Sequence, residues 1–307
     1  MINGFFMQES LQKYQDYLIK EKNYSLHTVG AYMKDIESFW FFFTERDSNW
    51  QWHDTDYSHI RSWIVDLSDR GMSNRTINRK TASLKSFFKF LYQTKTMSVY
   101  PLSGHKSLRI EKKEQLPFSE KEVNEVLQQN IDENDAEQLR DYLILMFFYV
   151  LGLRRAELIN LRNTDIDVLS KTVRVLGKRN KERIVPLMDN VCPLINTYLT
   201  LKKRSGLNGE FFFFAKKNKK MNETFVYRLI KNYFRGVTTK QKVSPHMLRH
   251  TFATHMLNNG SDLNAIKELL GHASLSSTQV YVYANLSELK KNFNKAHPRQ
   301  SNINHKI

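Results

Sequence analysis

Cysteine is almost missing from this chain: Cys192 is the only one among 307 residues. An internal disulfide framework is therefore excluded, and so is a cysteine-rich zinc site. Long apolar runs are missing as well. The longest, YLILMFFYVLGL from Tyr142, is shorter than a bilayer-spanning helix requires and leads directly into Arg154 and Arg155. The N-terminal MINGFF has neither the basic start nor the apolar stretch of a secretory signal, so the cytoplasm is the expected location. Met7 is an alternative start to Met1. Negative charge is the third shortage. Asp and Glu number 31 against 47 Lys and Arg, a formal net charge of +16. That imbalance favours a polyanionic partner, nucleic acid first, with an anionic membrane face or plain solubility as the other uses of such charge.

What is present suffices for a large core: 41% of residues are hydrophobic and 12% aromatic, over a length suited to one large or two ordinary domains. Residues 1–100 read as helices alone. In SLHTVGAYMKDIESFW, Leu26, Val29, Met33, Ile36 and Trp40 recur at helical spacing, with Ser25 as a cap candidate. SNRTINRKTASLKSFFKFL repeats the outline: Ser73, Thr76, Ile77, Leu84, Phe87 and Phe88 match Ser25, Thr28, Val29, Ile36, Phe39 and Trp40. A duplicated hairpin and two unrelated capped helices both account for this. Segments around Leu11 to Ile19 and Ile60 to Leu67 supply partner helices, predicting a four-helix bundle.

Periodicity stops over residues 101–117, where Pro101, Gly104, Pro117 and the charged KSLRIEKKE predict a linker. A second domain is expected over residues 118–307. Ser119 is placed to cap a helix, and the run from Tyr142 is apolar on every side, as a central buried helix would be. KTVRVLGKRNKERIVPL predicts two short strands joined by a polar turn that carries Lys178. EFFFFA predicts a short buried strand or extended segment, followed by a basic loop. Further helices are expected at NETFVYRLIKNYF, at SPHMLRHTFATHMLNNG, at SDLNAIKELLG and through the C-terminal region. The expected fold class is mainly α with a small antiparallel sheet.

SPHMLRHTFATHMLNNG concentrates His246, Arg249, His250 and His255 on one helix, with Ser244 as cap, Pro245 at the first position and Gly260 as stop. Leu248, Phe252 and Met256 form its buried stripe. A helix start carrying a histidine and an arginine suits a phosphate; a solvated basic face is the other reading. Zinc is disfavoured, because the segment holds no HExxH arrangement, no carboxylate and no cysteine, so no metal or other cofactor is expected. Two further segments add to the anion reading. In LGLRRAELINL the glycine ends the buried helix, turning Arg154 across the domain with Glu157 one turn on to orient it. An ordinary surface ion pair is the alternative there. LLGHASLSSTQVYVY offers His272 after the helix stop Gly271, and Tyr281 on a new helix; by default Tyr281 and Tyr283 read as core aromatics.

Together these residues have a logic that none has alone. A phosphodiester attacked by a phenol gathers charge on its equatorial oxygens, which two arginines and hydrogen-bonding histidines can stabilise. The leaving alkoxide needs a proton, which a lysine on a turn can deliver. The whole set, Arg154 in GLRRAEL, Lys178 in GKRNKER, His246 and Arg249 in HMLRHTFATH, His272 in LLGH and Tyr281 in STQVY, resembles the tyrosine recombinases of the Xer, or phage-integrase, family, over nearly the whole chain.

The resemblance implies a helical core-binding domain and a catalytic domain that form a C-shaped clamp around double-stranded DNA. It further implies that Tyr281 attacks the scissile phosphate to give a 3′-phosphotyrosyl link, that Arg154, Arg249 and His272 hold the phosphate, that His246 assists proton transfer and that Lys178 protonates the leaving oxygen. Glu157 is implied as support, and Arg155, Arg179, Lys181, Arg75 and Arg79 are candidate DNA contacts. Four protomers, as a homotetramer or with a second Xer-type recombinase, would act on paired sites through a Holliday junction, with LSELKKNFNK docking in a neighbour. A DNA translocase is a candidate partner, and no membrane is. The first helical segment begins near Gln8, leaving no room for the arm-binding domain that phage integrases often carry. Chromosome dimer resolution is the expected role. Integration of a mobile element, a type IB topoisomerase, and a DNA-binding accessory protein with a decayed site are the alternatives.

Overall fold

The computed structural model describes residues 2–111, 116–177, 181–207, 209–215 and 219–271, with the backbone alone over residues 2–8. The chain divides into two compact units, Met1–Lys113 and Glu114–Ile307.

The first unit is helical. Helix α1 (Ile2–Asp16) continues through a wider turn over Tyr17–Glu21, and is followed by α2 (Leu26–Thr44), α3 (Tyr57–Asp69) and α4 (Asn74–Gln93). The first helix thus starts well before Gln8, where its periodicity becomes legible. The two helices with matching sequence outlines begin in the same way. Ser25 Oγ accepts from the Thr28 N–H at 3.2 Å and Ser73 Oγ from the Thr76 N–H at 3.4 Å, each satisfying a backbone donor that the first helical turn leaves open. Val29, Ile36, Phe39 and Trp40 on α2 are buried, as are Ile77, Leu84, Phe87 and Phe88 on α4. Leu26 departs from the expected stripe: it is 77% exposed, because the cap places it on the outer side of the first turn. Phe39 is a hub of aromatic packing, with Trp63 edge-on at 5.3 Å and Phe88 at 5.9 Å. Asp35 is a buried carboxylate that the apolar periodicity does not announce. It accepts hydrogen bonds from Arg79, Lys80 and Ser83 on α4, which fastens α2 to α4.

The stretch expected to be a linker is partly built into this unit. Leu102 is fully buried in its core, and the Asn78 amide bonds both the N–H and the carbonyl of Leu108 at 2.8 Å. Two asparagines on α4 account for this, since Asn74 also donates to the Arg109 carbonyl.

The second unit surrounds α6 (Ala136–Val150), in which every residue from Leu143 to Val150 is buried. Helix α5 (Glu120–Leu127) precedes it, with Ser119 and Glu122 capping reciprocally, and the short α7 (Arg155–Ile159) follows. The sheet has three strands where two were legible: β1 (Ile166–Asp167), β2 (Thr172–Leu176) and β3 (Glu182–Pro186), antiparallel in the order β1-β2-β3. A two-residue strand leaves no alternation to read, so β1 was invisible. Val173 pairs with Val185 and Val175 with Arg183. Helices α8 (Cys192–Arg204), α9 (Glu223–Tyr233), α10 (Pro245–Asn258) and α11 (Leu263–Leu270) complete the described part. The expected C-terminal helix lies outside the described residues.

EFFFFA forms no continuous strand; of the two expectations the short segment keeps isolated antiparallel bridges, Phe211 with Arg162 and Phe214 with Lys220. Lys202 donates to the Phe211 and Phe212 carbonyls at 2.6 and 2.9 Å, and Arg140 to the Phe214 carbonyl at 3.1 Å. Cations take acceptors that a neighbouring strand would otherwise have used, while Phe212, Phe213 and Phe214 bury their rings.

Of the four polar groups expected together on α10, His255 is buried away from solvent. Its Nε2 donates to the Phe118 carbonyl at 2.8 Å and its Nδ1 accepts from the Tyr149 hydroxyl at 3.0 Å, the pattern of a neutral imidazole. Burial pushes its pKa below the usual histidine value of 6.5. The unfolded chain therefore binds a proton that the folded chain refuses, so this contribution to stability is intact above pH 6.5 and is lost as pH falls. The loss reaches at most about 1.4 kcal/mol per pH unit. Urea midpoints should fall between about pH 7.5 and about pH 5, and fall less in His255→Gln, which has no proton to gain. Equal falls in both proteins would contradict the neutral buried imidazole.

Candidate active site

The site begins where α6 ends. Gly152 adopts φ +59°, and a β-carbon there would lie 2.6 Å from the Phe252 ring on α10 and 2.9 Å from Leu270 on α11. Only glycine allows both the left-handed turn and this close approach. The chain then enters α7 with Arg154 at the cap and Glu157 in the first turn, and Glu157 Oε2 accepts the Arg154 N–H at 2.8 Å. This local capping box folds the carboxylate back onto the arginine that precedes it.

Three guanidiniums converge on that carboxylate. Arg154 Nη1 donates to Oε1 at 2.7 Å, and Arg183 donates from both Nη atoms at 2.9 and 2.8 Å. Arg249 Nη1 stands 3.8 Å from Oε2. The Glu157 side chain is 4% exposed. Burial alone would raise its pKa, but the Arg183 hydrogen bonds and charge, with those from Arg154, bring it down to about 2. Arg249 moves down to about 10, chiefly through burial and then through the nearby positive charge of Arg154, and stays charged at neutral pH. One carboxylate among three guanidiniums leaves a local charge of +2.

The arginines are also anchored to backbone. Arg249 donates to the Gly152 and Leu270 carbonyls, each at 2.5 Å, and Arg154 to the Gly271 carbonyl at 3.0 Å. Arg249 lies on the buried side of α10, whereas His246, one turn earlier, is exposed in the first turn after Pro245. His250 is exposed as well. Arg154 is 30% exposed at its side chain and uses two of its five N–H donors on described residues, so it retains donors for an anion.

Among the sequence candidates, Arg154, Glu157 and Arg249 come together, and His246 shares a helix with Arg249. Lys178, Arg179, His272 and Tyr281 lie outside the described residues. Arg155 pairs with Glu223 at 2.5 Å, while Lys181 is exposed and its carbonyl closes the hairpin by accepting from Gly177 at 2.8 Å. In the first unit Arg75 is exposed, and Arg79 is committed to Asp35. Arg183 was missed. Its signal was available: period two puts Arg183 and Val185 on one face of β3, and a cation sharing a face with a buried valine needs a buried partner.

A buried carboxylate that arrays arginines at the end of a helix, within a mainly helical unit, has the chemistry to hold an oxyanion. Comparison with known proteins makes this specific. The phage integrase family matches residues 117–288, and its N-terminal SAM-like domain matches residues 11–95. The chain belongs to the phage integrase family, and within it to the Xer-like tyrosine recombinases. It is 34% identical to tyrosine recombinase XerC of Natranaerobius thermophilus over 95% of this chain and 100% of that one. Identity to tyrosine recombinase XerC of Anoxybacillus flavithermus is also 34%, over 94% and 98% of the two chains. In fold it is similar to the XerH site-specific recombinase bound to a palindromic difH substrate, with a TM-score of 0.68 at 20% identity, covering 92% of this chain and 82% of that one. Among the described residues no helix is long and apolar enough to cross a membrane.

If Glu157 holds the cluster, Glu157→Gln should lower the free energy of unfolding in urea by about 3 kcal/mol, the cost of leaving buried guanidiniums without their counter-charge. A loss below about 1 kcal/mol would show that the pairing is dispensable.

Proposed function

We propose that Arg154 and Arg249 hold the scissile phosphate of double-stranded DNA while Tyr281 attacks it, and that the chain exchanges strands between two specific sites. The observation that carries this reading is the set of three guanidiniums, Arg154, Arg183 and Arg249, around one buried carboxylate, with a local charge of +2. A phosphodiester brings one negative charge and gains more on its equatorial oxygens as the phenol approaches, so a preorganised dication favours the transition state over the ground state. Glu157 keeps both arginines in place before DNA arrives.

In the cleavage step the Tyr281 oxygen bonds to phosphorus and the bond from phosphorus to the 5′ oxygen breaks. His246 assists removal of the phenolic proton, and Lys178 gives a proton to the departing oxygen. His272 adds a hydrogen bond to the phosphate. A 3′-phosphotyrosyl link and a free 5′-hydroxyl result. Attack by the 5′-hydroxyl of another strand reverses these bond changes and releases Tyr281, so no ATP is consumed. The roles of Lys178, His272 and Tyr281 rest on the family motif.

Arg75 and Lys181, both exposed, contact backbone phosphates together with Arg155 and Arg179 in this reading; Arg79 contributes less while it serves Asp35. Four protomers act on two sites, as one kind of chain or with a second Xer-type recombinase, and a DNA translocase is a further candidate partner. Identity over nearly full length to XerC proteins favours chromosome dimer resolution above a mobile-element role.

Covalent trapping on the cell's own DNA should recover a discrete segment from which a nicked suicide duplex can be made. On that duplex Tyr281→Phe should form no covalent complex while binding within about threefold of the native chain; a covalent adduct on the phenylalanine variant would reject the nucleophile. Lys178→Ala should slow cleavage about 1000-fold on the ordinary duplex, and by much less when the leaving atom is a 5′-sulfur, which needs no acid. Equal slowing on both would remove the general-acid role.

A further inference from the structure

Three consecutive carbonyls close α11, and each is held by a different arginine. Arg183 Nε donates to Leu269 at 2.7 Å, Arg249 to Leu270 at 2.5 Å, and Arg154 to Gly271 at 3.0 Å. The last carbonyls of a helix lack intrahelical partners and carry partial negative charge, so cations are favoured there. Gly271 ends the helix at φ +62°, and a β-carbon on it would sit 3.2 Å from Arg183 Cδ, so the backbone that closes α11 lies directly against this arginine.

Arg183 differs from the other two in how it is used. It spends Nε on Leu269 and both Nη atoms on Glu157, and its side chain is 11% exposed against 30% for Arg154. Its planar fork therefore joins β3, the carboxylate and the end of α11 in one contact set, behind the arginine that keeps an open face. No ammonium can reproduce three such divergent hydrogen bonds along fixed directions.

We propose that Arg183 is a positioning residue for strand cleavage: through Glu157 and the Leu269 carbonyl it sets the Arg154 guanidinium and the end of α11 at Gly271, without touching DNA. This rests on the reading of Arg154, Arg249 and His272 as phosphate-binding groups. The consequence is a loss of rate in the bound complex with little loss of binding, since misplacement by about 1 Å costs on the order of 100-fold in a reaction that depends on alignment.

The test uses the full chain as Arg183→Gln, Arg183→Lys, Glu157→Gln and the double variant Arg183→Gln/Glu157→Gln. The probe is the nicked suicide duplex made from the trapped segment, assayed below the lowest unfolding midpoint of the set. Single-turnover attachment at saturating protein should slow about 100-fold in both Arg183 variants, with Kd for the duplex within about threefold of native. The double variant should be no more than about twofold slower than its slower parent, because both changes disable one unit. Arg183→Lys decides the matter if Arg183→Gln does not fold. A native rate in either Arg183 variant, a loss confined to Kd, or losses that multiply in the double variant would overturn the proposal. A native chain that forms no covalent complex at all would instead overturn the functional reading, and the positioning role with it.

Discussion

Glu157 is an anion whose burial by itself favours the neutral form, and it remains charged because guanidiniums from three separate elements close on it. The dependence is mutual. Without the carboxylate, Arg154, Arg183 and Arg249 would repel one another in a partly dry place; without the arginines, the carboxylate would be a costly buried charge. A cluster with this balance is preorganised, since its groups are already desolvated and oriented before an anion arrives. It also carries the architecture, because each arginine reaches on to a carbonyl of Leu269, Leu270 or Gly271 and so joins α7, β3 and α10 to the end of α11.

The same device recurs away from the site. In the first unit buried Asp35 draws Arg79, Lys80 and Ser83 of α4 onto α2. In the second, Lys202 and Arg140 supply the donors that a strand would have supplied to the phenylalanine run. Apolar burial provides most of the cohesion in each unit, but it is indifferent to register. The buried charges are directional, and each one fastens a specific pair of elements whose apolar faces could otherwise slide.

Much of the fold was legible because its signals are local. Ser25, Ser73, Ser119 and Ser244 all cap the helices that their positions suggested, and Gly152 and Gly271 stop helices in left-handed geometry. Arg154, Glu157 and Arg249 were found because they stand in motifs with fixed spacing. What escaped lacked a local signature. The strand β1 is too short to alternate, and EFFFFA, read as a strand or an extended segment, makes only isolated bridges from Phe211 to Arg162 and from Phe214 to Lys220. His255 was grouped with exposed His246 and His250, because their shared helix and residue type do not say which histidine has a tyrosine waiting inside.

Order along the chain thus determined which residues form helices, where those helices begin and end, and which side chains have the chemistry to grip a phosphodiester. Tertiary structure alone decided that Arg183 belongs with Arg154 and Arg249, and that Arg79 turns to Asp35. The reason is physical: capping and amphipathic period act within a few residues, whereas the pairing of a buried charge depends on which distant groups the packed core delivers within hydrogen-bonding reach.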